Sequence, residues 1–263
     1  MKKTISIILG LAIFLLSGYS LSSLAEGCWR EITYPLTSHT RAEQLVYNYA
    51  QEHGLSYGSY PKELIDLLDR NPETASFVLE YPLKKNLPTD VDLSEFEKCE
   101  SVPLLMQWDQ RWGYKIYGSN LAGLTACGPL CLSMAAIYVT GDSELTPNRI
   151  MDFAVVNGYC IPGNGTSWTL ISEGGEKLGM TVTELPLHKE TIIQYLEGGW
   201  PIICIMGPGD FTTSGHYIVL TGVDGDSFLV NDPNSYVNSE KTWTYKQIES
   251  QIENLWLIQP GEN

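Results

Sequence analysis

An α+β fold is what this sequence predicts, on three observations. Helical periodicity dominates the chain up to about residue 197. Apolar runs of strand length then follow one another: Pro201 to Met206, His216 to Val223 and Ser227 to Val230. The turn Asp224-Gly225-Asp226 joins the last two as an antiparallel hairpin, and helices first with antiparallel strands later is the α+β order.

The N-terminus has the layout of an export signal. Met1-Lys2-Lys3 is basic, Ile5 to Leu16 is apolar, and Ser23-Leu24-Ala25 supplies small residues for a peptidase to read. Residues 1–25 are therefore expected to be a signal peptide cut near Ala25. Retained as far as Leu21, the apolar run would be a marginal membrane anchor. The protein is expected outside the cytoplasm, secreted or held at the membrane by that segment alone.

Residues 26–99 read as a small helical region with a connector. Arg41 to His53 places Leu45 and Tyr49 at helical spacing before Gly54. A second helix starts at Pro61, where a missing N–H costs nothing, and runs to Leu68. Asn71-Pro72-Glu73 opens a third that ends near Tyr81-Pro82, and a polar, acidic connector covers Lys84 to Glu100.

Residues 100–263 form the α+β domain. Thr125 to Val139 is a helix with Leu132, Ala135, Ala136 and Tyr138 at helical spacing. Ser167 to Leu178, His188 to Glu197 and Tyr245 to Ile252 are three more, and Leu255 to Gln259 is a last strand.

Composition narrows the function classes. Of 263 residues, 43% are hydrophobic and 18% charged, the balance of a packed domain. A net charge of −15, from 16 basic and 31 acidic side chains, argues against nucleic acid as a partner. Six cysteines occur without a CxxC pair or a zinc-like spacing, so no metal and no cofactor is expected. Cys28 and Cys99 bracket one segment and are candidates for a disulfide, which export permits.

The remaining thiols divide by position. Cys204, in a strand-like run, reads as a small buried hydrophobe. Cys127 stands where a loop becomes a helix, in Ala126-Cys127-Gly128-Pro129. Free N–H groups and the dipole at that end favour an anion, which lowers a thiol pKa. Gly128 is read as allowing a tight turn. Cys131 lies one turn further on and points into the packing.

A thiol nucleophile also needs a base, an orienter for the base and donors for an oxyanion. His216 begins a strand and can reach across a cleft to a helix start; His39, His53 and His188 lie in less suitable places. Asp232 closes the next strand, and an antiparallel hairpin brings its end beside His216. Asn231 rivals it for the orienting role, but its side chain should face the other side of the strand. Gln107 offers an amide N–H, with the backbone N–H of Cys127 as the second oxyanion donor.

These residues carry a resemblance. Val102 to Trp112 around Gln107, Ala126-Cys127-Gly128-Pro129 with Ser133-Met134-Ala135, Gly215 to Gly222, and Asn231-Asp232-Pro233 together resemble the cysteine peptidases of family 39. Those are papain-like folds related to peptidases that trim bacteriocin leaders. The resemblance spans about residues 100–258, and Gly165-Thr166-Ser167-Trp168 matches it too. It implies a papain-like fold with Cys127 as nucleophile, His216 as base, Asp232 as orienter and Gln107 as oxyanion donor. A peptide or protein substrate follows. Leu130 stands where the family often has a small hydroxyl residue. No transporter domain is read in the chain, so leader cleavage during export does not carry over. The same site would also suit an acyl transferase or a cell-wall peptide amidase, and the fold could serve as a non-catalytic binding module.

Overall fold

The computed structural model describes residues 40–88 and 91–261. The expected signal, His39 and the Cys28 half of the candidate disulfide lie outside them. The chain divides into two compact units between Leu45 and Val46. The described part of the first is the opening of helix α1 (Arg41–Glu52). There Thr40 N donates to Glu43 Oε2 (2.9 Å) and Glu43 N donates to Thr40 Oγ1 (3.3 Å), a reciprocal cap for helix-start donors.

In the second unit, α2 (Lys62–Arg70) buries Leu64, Ile65, Leu67 and Leu68. The third expected helix is broken into pieces. A 3₁₀ turn, Pro72–Thr74, is capped by the Asn71 side chain and leads into α3 (Ala75–Leu79); a further turn covers Tyr81–Lys84. Pro82 has no N–H and its ring clashes with the carbonyl four residues back, so the helix cannot run through it.

This helical segment is fastened to the residues that follow. Phe77 stacks on Tyr114 at 4.6 Å, and Tyr114 Oη donates to Phe77 O (2.8 Å). Asn71 Nδ2 donates to Asn234 O (2.6 Å), while the Glu73 carboxylate accepts from Ser235 Oγ (2.9 Å) and Tyr236 N (2.6 Å). Residues 71–73 thus brace the loop that follows Asp232.

Helix α4 (Cys127–Thr140) is buried at every residue from Gly128 to Ile137. A helix apolar on all sides belongs in a core, and its sequence accordingly lacks a polar stripe. Helix α5 (Pro147–Val156) was not expected from the sequence; Thr146 caps it and Pro147 occupies its first turn. The helix expected over Ser167 to Leu178 is a π-helical turn, Leu170–Gly174, then a short α turn, Gly175–Lys177. Adjacent glycines are poor helix formers, and the wider turn keeps both Leu170 and Ile171 buried. Helix α6 (Lys189–Glu197) falls where expected.

One sheet organises the unit. Its strands are β1 (Met180–Glu184), β2 (Ile202–Met206), β3 (His216–Asp224), β4 (Ser227–Asn231), β5 (Trp243–Thr244) and β6 (Ile252–Pro260). They lie in the order β1-β6-β2-β3-β4-β5, all pairs antiparallel. The last strand begins at Ile252, not Leu255, because the preceding helix stops early: Tyr245–Ile248 is followed by a 3₁₀ turn, Glu249–Gln251.

Both sheet faces are buried, which is why β2 reads as an unbroken apolar run. Ile203, Ile205, Tyr217, Val219 and Trp256 pack towards α4. Ile202, Cys204, Met206, Ile218 and Leu220 pack with Ile192 and Leu196 of α6 on the other face. The nucleophile candidate therefore starts a helix laid on the sheet, and the base candidate starts a central strand of it.

Candidate active site

Cys127 is the first residue of α4, where an N–H group lacks an intrahelical acceptor and the dipole is positive. Gly128 lies within the regular helix rather than in a tight turn. What it provides is a close approach: a Cβ there would meet Thr166 Cβ at 3.0 Å. The absent side chain lets the Gly165–Thr166 strand press against the helix start.

His216 opens β3 opposite Met206, and the hairpin with β4 returns the chain past it, with Val219 opposite Asn231. Asp232 follows directly. The His216 Nε2 to Asp232 Oδ1 distance is 2.7 Å, and both residues are buried. Oδ1 also accepts from Asn234 N (2.8 Å) and Oδ2 from Asn238 Nδ2 (2.8 Å), so the carboxylate is held by three donors. Asn231 faces the other way, as expected, donating to Val102 O (3.0 Å) and Pro103 O (3.1 Å).

With Nε2 on Asp232, the other ring nitrogen is left for the thiol, which hydrogen-bonds with His216. Burial pushes the Cys127 thiol up. The hydrogen bond and charge of His216, with backbone N–H groups of Tyr217 and Gly128, outweigh this and bring it below its ordinary value. Burial likewise disfavours the His216 cation, yet the charge and hydrogen bond of Asp232, reinforced by Cys127, push it up to about 10. The pair therefore favours thiolate and imidazolium at neutral pH.

No other described cysteine has such surroundings. Burial raises Cys99, Cys131, Cys160 and Cys204, Cys131 most clearly because it also lies near Cys127 and Asp232. His53 is exposed and bonds to Tyr49 O (2.9 Å). His188 is exposed beside Thr191 and Glu190.

Gln107 is buried, and Nε2 donates to Gly123 O (3.0 Å) and, at 3.4 Å, to Asn234 Oδ1. Its Oε1 is buried with no partner among the described residues. A flipped amide would set that oxygen against the Gly123 carbonyl, so the N–H assignment is fixed by its neighbours.

A cleft of about 670 Å³ opens at Cys127 and His216, with Thr125, Thr166, Trp168 and Glu253 among its walls. Several supporting residues were not singled out by sequence reasoning. The Tyr217 N–H acts through the backbone and leaves no side-chain signal. Asn234 and Asn238, on the polar turn after Asp232, could have been found as candidate donors to its carboxylate.

The model of the Peptidase_C39 like family matches residues 99–261, more than half of the chain. Comparison with curated proteins gives no match. Among solved structures, the peptidase domain of Streptococcus ComA, described as a bi-functional ABC transporter involved in a quorum sensing pathway, is similar at 21% identity. That alignment covers 51% of this chain and 91% of the other, with a TM-score of 0.40. A C39-like peptidase from Bacillus anthracis is similar at 16% identity, covering 65% of this chain and 98% of the other, with a TM-score of 0.38.

Proposed function

We propose an exported cysteine peptidase, and the premise is family: the chain belongs to the Peptidase_C39 like family. Its substrate is a peptide or protein outside the cytoplasm, reached through the N-terminal signal. The observation that carries the reading is the buried His216–Asp232 contact of 2.7 Å with the Cys127 thiol drawn down beside it.

The Cys127 thiolate attacks the scissile carbonyl carbon, and the carbonyl electron pair moves onto oxygen. Collapse of that tetrahedral species breaks the C–N bond as His216 gives its proton to the leaving amine, leaving a thioester. His216 then takes a proton from water, whose oxygen attacks the thioester and releases the thiolate and the acid. Asp232 keeps the ring in the productive tautomer and stabilises the imidazolium.

The oxyanion is assigned to the Cys127 backbone N–H and the Gln107 amide. Supporting the second choice, the Gln107 contact to Asn234 Oδ1 is long at 3.4 Å, so that N–H is the one a developing negative charge would draw. Replacing Gln107 with alanine is expected to lower kcat about 10²- to 10³-fold, the usual loss for one oxyanion donor. Steady-state kinetics on a cleaved peptide reads this, and a change below threefold would remove Gln107 from the role.

Alkylation tests the thiolate directly. Iodoacetamide should label Cys127 faster than any other thiol, with the rate already on its plateau at a pH well below ~8.5, where free cysteine is half ionised. Acidification through the depressed thiol value should switch labelling off. A midpoint at or above the free-cysteine value would contradict the ion pair.

A further inference from the structure

The walls of the catalytic cleft are nearly free of charge. Apart from the Cys127–His216 pair, Glu253 is the one formally charged side chain among the described residues that lines it. In an acidic protein a surface carboxylate is ordinary, but the placement of this one is not.

Ile252 pairs with Met206, but Asn254 pairs with Ile205, so β6 carries one extra residue at Glu253. A bulge of this kind bends a strand and re-aims a side chain, and bulges recur beside active sites. The side chain it re-aims lies over Gly207: a Cβ at Gly207 would stand 2.7 Å from Glu253 Oε1. Any larger residue at 207 would displace the carboxylate. The Glu253 side chain is exposed and takes part in no ion pair or hydrogen bond among the described residues.

The same cleft exposes an aromatic ring. Trp168 is 43% exposed and is held edge-on by buried Trp256, 6.0 Å away at 75°. A carboxylate and a tryptophan face in an otherwise neutral cleft suit a cation, through ion pairing and attraction to the ring. Strands β6 and β3 flank β2, so the backbones at Glu253 and His216 are two strand spacings apart, about 10 Å. An extended peptide covers that span in about three residues.

We propose that Glu253 is a specificity-determining residue that selects substrates with a lysine or arginine within about three residues of the scissile bond. The proposal rests on the reading of Cys127 as the nucleophile of a peptidase.

The test is cleavage of a diverse peptide library by the full chain and its Glu253→Gln, Glu253→Lys and Glu253→Asp variants, with products sequenced by mass spectrometry. Lys and Arg should be enriched on the order of tenfold within three residues of the cut, the scale of a partly desolvated charge contact. Glu253→Asp should keep the preference, Glu253→Gln should erase it, and Glu253→Lys should favour Asp and Glu. In one cleaved peptide, changing the lysine to norleucine should raise KM for the wild type about tenfold and leave KM of the Glu253→Gln variant unmoved. Iodoacetamide labelling of Cys127 reports independently that each variant has formed its site. Cleavage without basic enrichment, or with the same enrichment in Glu253→Gln, overturns the inference and leaves the peptidase standing. No cleavage together with an unreactive Cys127 overturns both.

Discussion

Replacing Cys127 with alanine is expected to abolish turnover, with a loss of at least ~10⁴-fold in kcat, because no other group can form the thioester. Cys131 is one turn further along α4 but fully buried and pushed up by burial, so it cannot stand in. Serine should fare no better: its hydroxyl would meet the same His216, but an alcohol is far harder to ionise than a thiol. The measurement is kcat on the best-cleaved library peptide, with near-UV circular dichroism to show that packing survives. Turnover above about a hundredth of wild type would remove Cys127 from the nucleophile's role and with it the thioester route.

His216→Ala is expected to slow acylation by ~10³-fold or more, since it removes both the proton carrier and the partner of the thiolate. Two effects should appear together. The peptide rate falls, and the pH midpoint of Cys127 alkylation moves up towards that of an ordinary thiol, because His216 supplies the leading downward pull on it. The fold should tolerate the change. Asp232 would lose the Nε2 contact but keep the donors Asn234 N and Asn238 Nδ2. Stopped-flow acylation and iodoacetamide rates across pH separate the two effects. Unchanged acylation would exclude His216 as the base; a slow enzyme with an unmoved alkylation midpoint would exclude the ion pair.

Much of this site was legible because its parts depend on local rules. A cysteine before Gly-Pro announces a helix start, and a two-strand hairpin dictates that residues near 216 and 232 meet. The opposite orientation of Asn231 followed from strand alternation alone. What escaped depends on distant partners. The bulge at Glu253 exists only relative to β2, and the bracing of the Asp232 loop by Asn71 and Glu73 joins residues far apart in the chain. Helix α5 was missed although Thr146-Pro147 is a fair start signal, because the polar residues after it mask its apolar side. Pro82 and Gly174-Gly175 broke expected helices for backbone reasons that a periodic pattern does not register.

The position of β6 bears on when the site can form. Among the described residues it is the last strand in chain order, yet it lies between β1 and β2. Until residues 252–260 have left the ribosome, β2 has an open edge and α4 lacks Trp256 and Ile258 beneath it. Pairings this far apart are slow to form, since loop-closure entropy is spent before the contacts return it. The half-made polypeptide consequently holds its thiol on an incomplete scaffold. Packing of the helix that begins at Cys127 against the sheet therefore waits on residues 252–260.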